Sequence, residues 1–176
     1  MATQDIIFAG FGGQGILSMG KFLAYAGMDI NMNVSWLPSY GPEMRGGTAN
    51  CSVIISDEPV GSPIVVNPTT LVVMNRPSLD KFENELESGG LLILDSDLID
   101  KPIERTDIDV IKIPAQTEAS NIGSKQIANM VLLGALVAKT NIVSMEVLLQ
   151  SLKAHGKEKF YEINKKALEI GASYVN

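Results

Sequence analysis

The stretch Asp5 to Gly27, "DIIFAGFGGQGILSMGKFLAYAG", decides the fold. Ile6, Ile7, Phe8 and Ala9 form a short β-branched and aromatic run of the kind found in a buried parallel strand, and Ile16 to Met28 carries a helix. The glycine cluster between them makes this a strand, a turn and a helix. Gly10, Gly12 and Gly15 satisfy G-x-G-x-x-G, which in the right setting cradles a dinucleotide pyrophosphate. That setting also requires an acidic side chain about 20 residues on, at the end of the second strand, to take the ribose hydroxyls. Here the region reads "NMNVSWLPSYG", with Asp29 ahead of the strand and Glu43 in the later turn. The fingerprint lacks its second half, which counts against free NAD or FAD. "GILSMGKF" imitates a phosphate loop, but it puts Phe22 where a metal-binding hydroxyl is required and lies inside the helix. A purely structural role for the glycines, where a strand reverses into a closely packed helix, stays open beside a ligand-binding one.

Outward from this unit, strands and helices alternate. "NVSWLPSY" (Asn33 to Tyr40) and "TANCSVIIS" (Thr48 to Ser56) read as two extended segments of a hairpin-like excursion around the turn-rich "GPEMRGG". Strands are expected at Thr69 to Asn75, Gly89 to Asp97 and Asp109 to Pro114, with a polar helix from Pro77 and Ser78 to about Glu87. The C-terminal third reads as helices at Glu118 to Lys139, Met145 to Ala154 and Lys159 to about Ala172. "NMVLLGALVAK" is apolar almost all round, so it is central to the core or buried by another subunit. The expected architecture is α/β: a mostly parallel, doubly wound open sheet with a helical C-terminal layer, in a single domain over residues 1–176.

Composition narrows the function. A chain of 176 residues with 45% hydrophobic and 19% charged residues is globular, and its formal charge of −6 offers no basic footprint for nucleic acid. Cys51 is the only cysteine, so the chain can hold no iron–sulfur cluster and no internal disulfide of its own. The start "MATQD" lacks the layout of an export signal, and the longest apolar run, Met130 to Ala138, falls far below the roughly 20 residues of a membrane span; a cytoplasmic address without membrane contact is expected.

A second cluster, "PSYGPEMRGGTAN", offers Glu43 and Arg45 on a glycine-rich backbone and reads as an interaction loop, with a solvated surface ion pair as the plainer alternative. Other conspicuous residues read as structural. His155 has no metal-ligand neighbours and sits at a helix end, and Cys51 in an apolar strand reads as a small core residue. Trp36 fits a core, an edge or an interface anchor, and Asp95 with Asp97 fits a solvated turn at a strand end where ligands also gather.

Together, "GFGGQG" at Gly10 to Gly15 and "SYGPEMRGG" at Ser39 to Gly47 resemble the γ subunits of 2-oxoacid:ferredoxin oxidoreductases, and "NMVLLGAL" and "NKKALEIG" continue the resemblance over nearly the whole chain. The resemblance implies a part in a thiamine-diphosphate-dependent reaction of anaerobic metabolism. In it a 2-oxoacid and coenzyme A give an acyl-CoA and carbon dioxide, with electrons passing to ferredoxin. It implies thiamine diphosphate, magnesium and iron–sulfur clusters on α and β partner subunits, with a ferredoxin-like δ chain as an optional further partner. This chain would then hold no cofactor alone, contain no catalytic or metal-ligating residue, and be inactive by itself. "SWLPSYGPEMRGGTANCSVIIS" is most similar to the 2-oxoglutarate and branched-chain types. The resemblance places Gly10, Gly12, Gly13, Gln14, Gly15, Gly41, Pro42, Glu43, Arg45, Gly46 and Gly47 at a ligand or subunit contact, with coenzyme A as the candidate ligand. A free-standing nucleotide- or acyl-CoA-binding protein is the alternative, and the apolar helices raise the expectation of a homodimer in isolation.

Overall fold

The computed structural model describes residues 2–39 and 47–175. Six strands form one sheet in the order β2-β3-β1-β4-β5-β6, where β1 is Thr3–Phe11, β2 Asn33–Ser39, β3 Thr48–Ser56, β4 Thr70–Val73, β5 Leu91–Asp95 and β6 Asp109–Ile113. The pairs β1/β4, β4/β5 and β5/β6 are parallel, whereas β3 runs antiparallel to both β1 and β2. The mostly parallel, doubly wound sheet is thus present with the expected hairpin excursion as its antiparallel flank.

β1 sits in the middle because its residues permit nothing else. Ile6, Ile7, Phe8 and Ala9 are at most 3% exposed, and alternate members face two separate cores. On one face Ile6 and Phe8 meet Met19 and Leu23 of α1 (Ile16–Asp29), together with α4 (Ala128–Thr140), α5 (Met145–His155) and α6 (Tyr161–Ser173). On the other, Ile7 and Ala9 meet Leu79 and Phe82 of α2 (Arg76–Phe82).

The apolar helix lies at the centre of this chain's own core. Every residue of α4 from Ala128 to Val137 is buried, and α6 packs along it at two glycines. A β-carbon on Gly134 would strike the Leu168 carbonyl of α6, and one on Gly171 the Val131 carbonyl of α4. The two backbones therefore lie in direct contact. The burial of α4 removes one of the two apolar surfaces on which a homodimer was expected, whereas α1 leaves Met28 58% exposed.

Three boundaries differ from the sequence reading. The single helix expected over Glu118 to Lys139 is two, α3 (Ala115–Asn121) and α4, because Gly123 takes a φ of +113° and Ser124 starts a short 3₁₀ turn by accepting from Gln126 N. The helix expected to reach Glu87 ends at Phe82 and a 3₁₀ turn, where Arg105 Nη1 donates to the carbonyls of Glu83 and Leu86 at 2.8 and 2.7 Å. Asp97 lies exposed in the turn after β5, as read from the sequence, but Asp95 does not. Asp95 is fully buried and accepts from the backbone N–H groups of Asp97 and Ala115 and from Gln116 Nε2, while Asp97 accepts from Thr117 N at 2.7 Å. Burial pushes the Asp95 carboxyl above its usual range, and the pair ties the end of β5 to the first turn of α3.

Cys51 and Trp36 are packing residues of the β3/β2 flank. The Cys51 thiol lies beneath α1, 3.6 Å from the Ile16 carbonyl, and burial pushes its pKa up to about 12. Trp36 packs against the same core, and a β-carbon on Gly20 of α1 would meet both Cys51 Sγ and Trp36 Nε1. His155 stacks on Tyr25 of α1 with ring centroids 4.1 Å apart, its Nε2 lying 3.7 Å from Asp29 Oδ1.

Two outcomes follow for this core. Gly134→Ala or Gly171→Ala should lower unfolding stability by about 1–3 kcal/mol in urea denaturation, overriding the roughly 1 kcal/mol that alanine gains over glycine in a helix. At pH 8 a thiol-reactive aromatic disulfide should leave Cys51 of the native chain unmodified over the time in which it fully labels the urea-unfolded chain.

Candidate functional site

The site lies at the C-terminal ends of β1 and β4, which are parallel neighbours. The chain leaves β1 through the glycine turn into α1 on one face, and leaves β4 through Asn75 into α2 on the other. Connections that part in this way open a crevice beyond the strand ends, which is where open α/β sheets bind ligands.

The turn is built by Gly13 and Gly15, with φ of +91° and +76°, values that an L side chain adopts at a cost. Gly15 caps α1 without a side-chain oxygen, and α1 carries no acid in its first turn. Gly12 N donates to Gly47 O at 3.0 Å and Gln14 N to Phe11 O at 3.2 Å. Among the described residues, the N–H groups of Gly13, Gly15, Ile16, Leu17 and Ser18 have no acceptor. This end of a 14-residue helix therefore presents donors and the positive end of its dipole, with no acid in the helix's own first turn.

Gln14 is a strap within the protein. Its Oε1 accepts from Phe11 N at 2.6 Å and its Nε2 donates to Met74 O at 3.2 Å, joining the ends of β1 and β4. Gly10 lies under that strap, since a β-carbon there would meet Gln14 Oε1 and Ile16. Of the second candidate cluster, Gly47 is beside the turn, bonded to Gly12. Gly41, Pro42, Glu43, Arg45 and Gly46 lie outside the described residues.

The crevice also contains residues that reading the sequence in chain order passed over. Asn75 is 2% exposed, its Oδ1 caps α2 by accepting from Ser78 N at 2.9 Å, and its Nδ2 has no partner among the described residues. The Arg76 side chain is 59% exposed, with Asp80 Oδ2 3.7 Å from its Nε. On the α1 side, Asn129 Nδ2 donates to Gly15 O at 3.1 Å, and a β-carbon on Gly15 would collide with the Asn129 amide. The signal for Asn75 was its place just before Arg76-Pro77-Ser78, a helix start with Pro inside its first turn.

On the α1 side of β1 the neighbour is the antiparallel β3, so no parallel strand ends there to carry a ribose-binding acid. Counting along the chain leads to β2, yet β2 is the far edge strand, and the parallel neighbour of β1 is β4. That strand runs into Asn75 and Arg76, but it lies across the switch point from α1, which packs over β3 and β2. Among the described residues no three His, Cys, Asp or Glu side chains group to hold a metal ion, and no helix is long and apolar enough to cross a membrane.

Comparisons with known proteins agree with this architecture. Residues 5–174 match the pyruvate ferredoxin/flavodoxin oxidoreductase family. A ketoisovalerate oxidoreductase subunit VorA of Methanothermobacter marburgensis is 41% identical over 95% of this chain, which spans only 35% of that relative's length. A 2-oxoglutarate synthase subunit KorC of Methanocaldococcus jannaschii is 42% identical over 81% of this chain and 78% of its own. The crystal structure of a keto/oxoacid ferredoxin oxidoreductase γ subunit from Geobacter sulfurreducens superposes with a TM-score of 0.85 at 32% identity, covering 97% of each chain. The chain belongs to the pyruvate ferredoxin/flavodoxin oxidoreductase family, and its fold is that of the family's γ subunits.

Proposed function

We propose that the chain works as the γ subunit of a 2-oxoglutarate:ferredoxin oxidoreductase, and that its glycine turn seats a phosphate of coenzyme A. The observation that carries the second part is the N-terminus of α1 at the β1/β4 crevice, where the N–H groups of Gly13, Gly15, Ile16, Leu17 and Ser18 have no acceptor among the described residues and the first turn has no acid. Arg76 adds a charge suited to a phosphate, and Gln14 holds the two strand ends at a fixed separation. The antiparallel β3 beside β1, where a dinucleotide site needs a parallel strand ending in an acid, weighs against the alternative of a free-standing dinucleotide-binding protein.

The choice of 2-oxoglutarate rests on the loop "SWLPSYGPEMRGG" and on the 2-oxoglutarate synthase relative, which the chain covers for most of its length. Branched-chain 2-oxoacids are the competing substrate class, because the ketoisovalerate relative is similar to the same degree. In this reading thiamine diphosphate and iron–sulfur clusters on partner subunits supply the decarboxylation and the electron transfer. This chain binds and orients the coenzyme without a catalytic residue of its own.

The purified chain alone should therefore show no coenzyme-A-dependent decarboxylation of 2-oxoglutarate; activity without any other subunit would overturn the assignment. In the assembled enzyme, Arg76→Ala and Arg45→Ala should each raise the KM for coenzyme A about tenfold while the subunits stay together, in keeping with about 1.5–3 kcal/mol for a hydrogen bond to a charged group. Loss of subunits at unchanged KM would instead assign these arginines to an interface.

A further inference from the structure

A second recess lies on the α1 face of the sheet, between α1, the start of α4 and the α5/α6 junction, and encloses about 410 Å³. That is within the range of small-molecule sites. Its walls are apolar, from Phe22, Met130, Phe160 and Ile163, and its polar groups include Ser18, Asn129 and Asn164. Phe160 is 45% exposed, an aromatic face left open at the recess.

No carboxylate lines the recess itself, although the chain has 20 acidic residues against 14 basic ones; the ionisable residues of the recess are Lys157 and His155. His155 is engaged with Tyr25 and Asp29. Lys157 has no carboxylate within 4.0 Å among the described residues, and Lys159 Nζ lies over the Phe160 ring, 4.8 Å from its centroid. An apolar body would cover Phe22 and Phe160, and an anionic head would meet Lys157.

We propose that this recess binds a small carboxylate with an apolar body, at a site separate from the glycine turn. The recess also adjoins the turn's support, because Asn129 lines it while donating to Gly15 O. Occupancy and the geometry of the turn are then linked through one side chain, and any effect of one on the other is reciprocal. The assignment does not rest on the proposed coenzyme seat.

The test is an NMR titration of the full chain with hexanoate, with hexylammonium as the probe of reversed charge. Saturable shifts at Asn129, Lys157 and Asn164 with hexanoate, none with hexylammonium, and at least fivefold weaker hexanoate binding by Lys157→Gln are expected. Lys157 is exposed, so its replacement leaves the core intact. Absence of saturation, an equal response to hexylammonium, or unchanged affinity in Lys157→Gln would overturn the proposal. Displacement of hexanoate by coenzyme A would overturn it too, by making the recess part of the coenzyme seat.

Discussion

The side-chain amide of Gln14 spans the one place where the winding of the sheet changes sides. By accepting from Phe11 and donating to Met74, it fixes the end of β1 against the end of β4. There α1 departs to one face and α2 to the other, so this small polar bridge stands between two hydrophobic cores. Just beyond this bridge Gly15 starts α1 and Asn75 starts α2. The glycines on either side are then explained by what they touch: Gly10 lies beneath the Gln14 amide and Gly15 against that of Asn129.

Farther from the crevice the governing constraint is the distance between helix axes. Side chains would hold α4 and α6 apart, and glycine at 134 and 171 lets backbone meet backbone. The inner helix can be apolar all round because it is wrapped by the sheet and by α1, α3, α5 and α6. The helical layer thus covers its own apolar surface and leaves the ends of β1 and β4 as the place where chemistry can approach.

Much of this was legible in the sequence, since a buried central strand such as "IIFA" and the all-round apolar "NMVLLGALVAK" leave few alternatives. Strand order was not legible: nothing local in "NVSWLPS" or "TLVV" says which lies beside β1. The break at Gly123 was hidden because the polar residues around it suit a helix surface and a loop equally well. Asn75 was hidden because an ordinary cap and a crevice residue have the same spelling. The turn and loop motifs named the family, whereas their physical roles emerged from contacts between residues far apart in the chain, such as Gly12 with Gly47 and Gly15 with Asn129.

The central position of β1 also dictates an order of events during synthesis. It precedes its partners in the chain: its neighbours are β3, completed at Ser56, and β4, completed at Val73. Its apolar run must wait, unpaired, until those segments have emerged, and the layer that seals one of its faces comes later still, with residues beyond 128. The nascent chain therefore carries an exposed, strongly β-forming segment until those later residues have emerged, the kind of segment that chaperones shield.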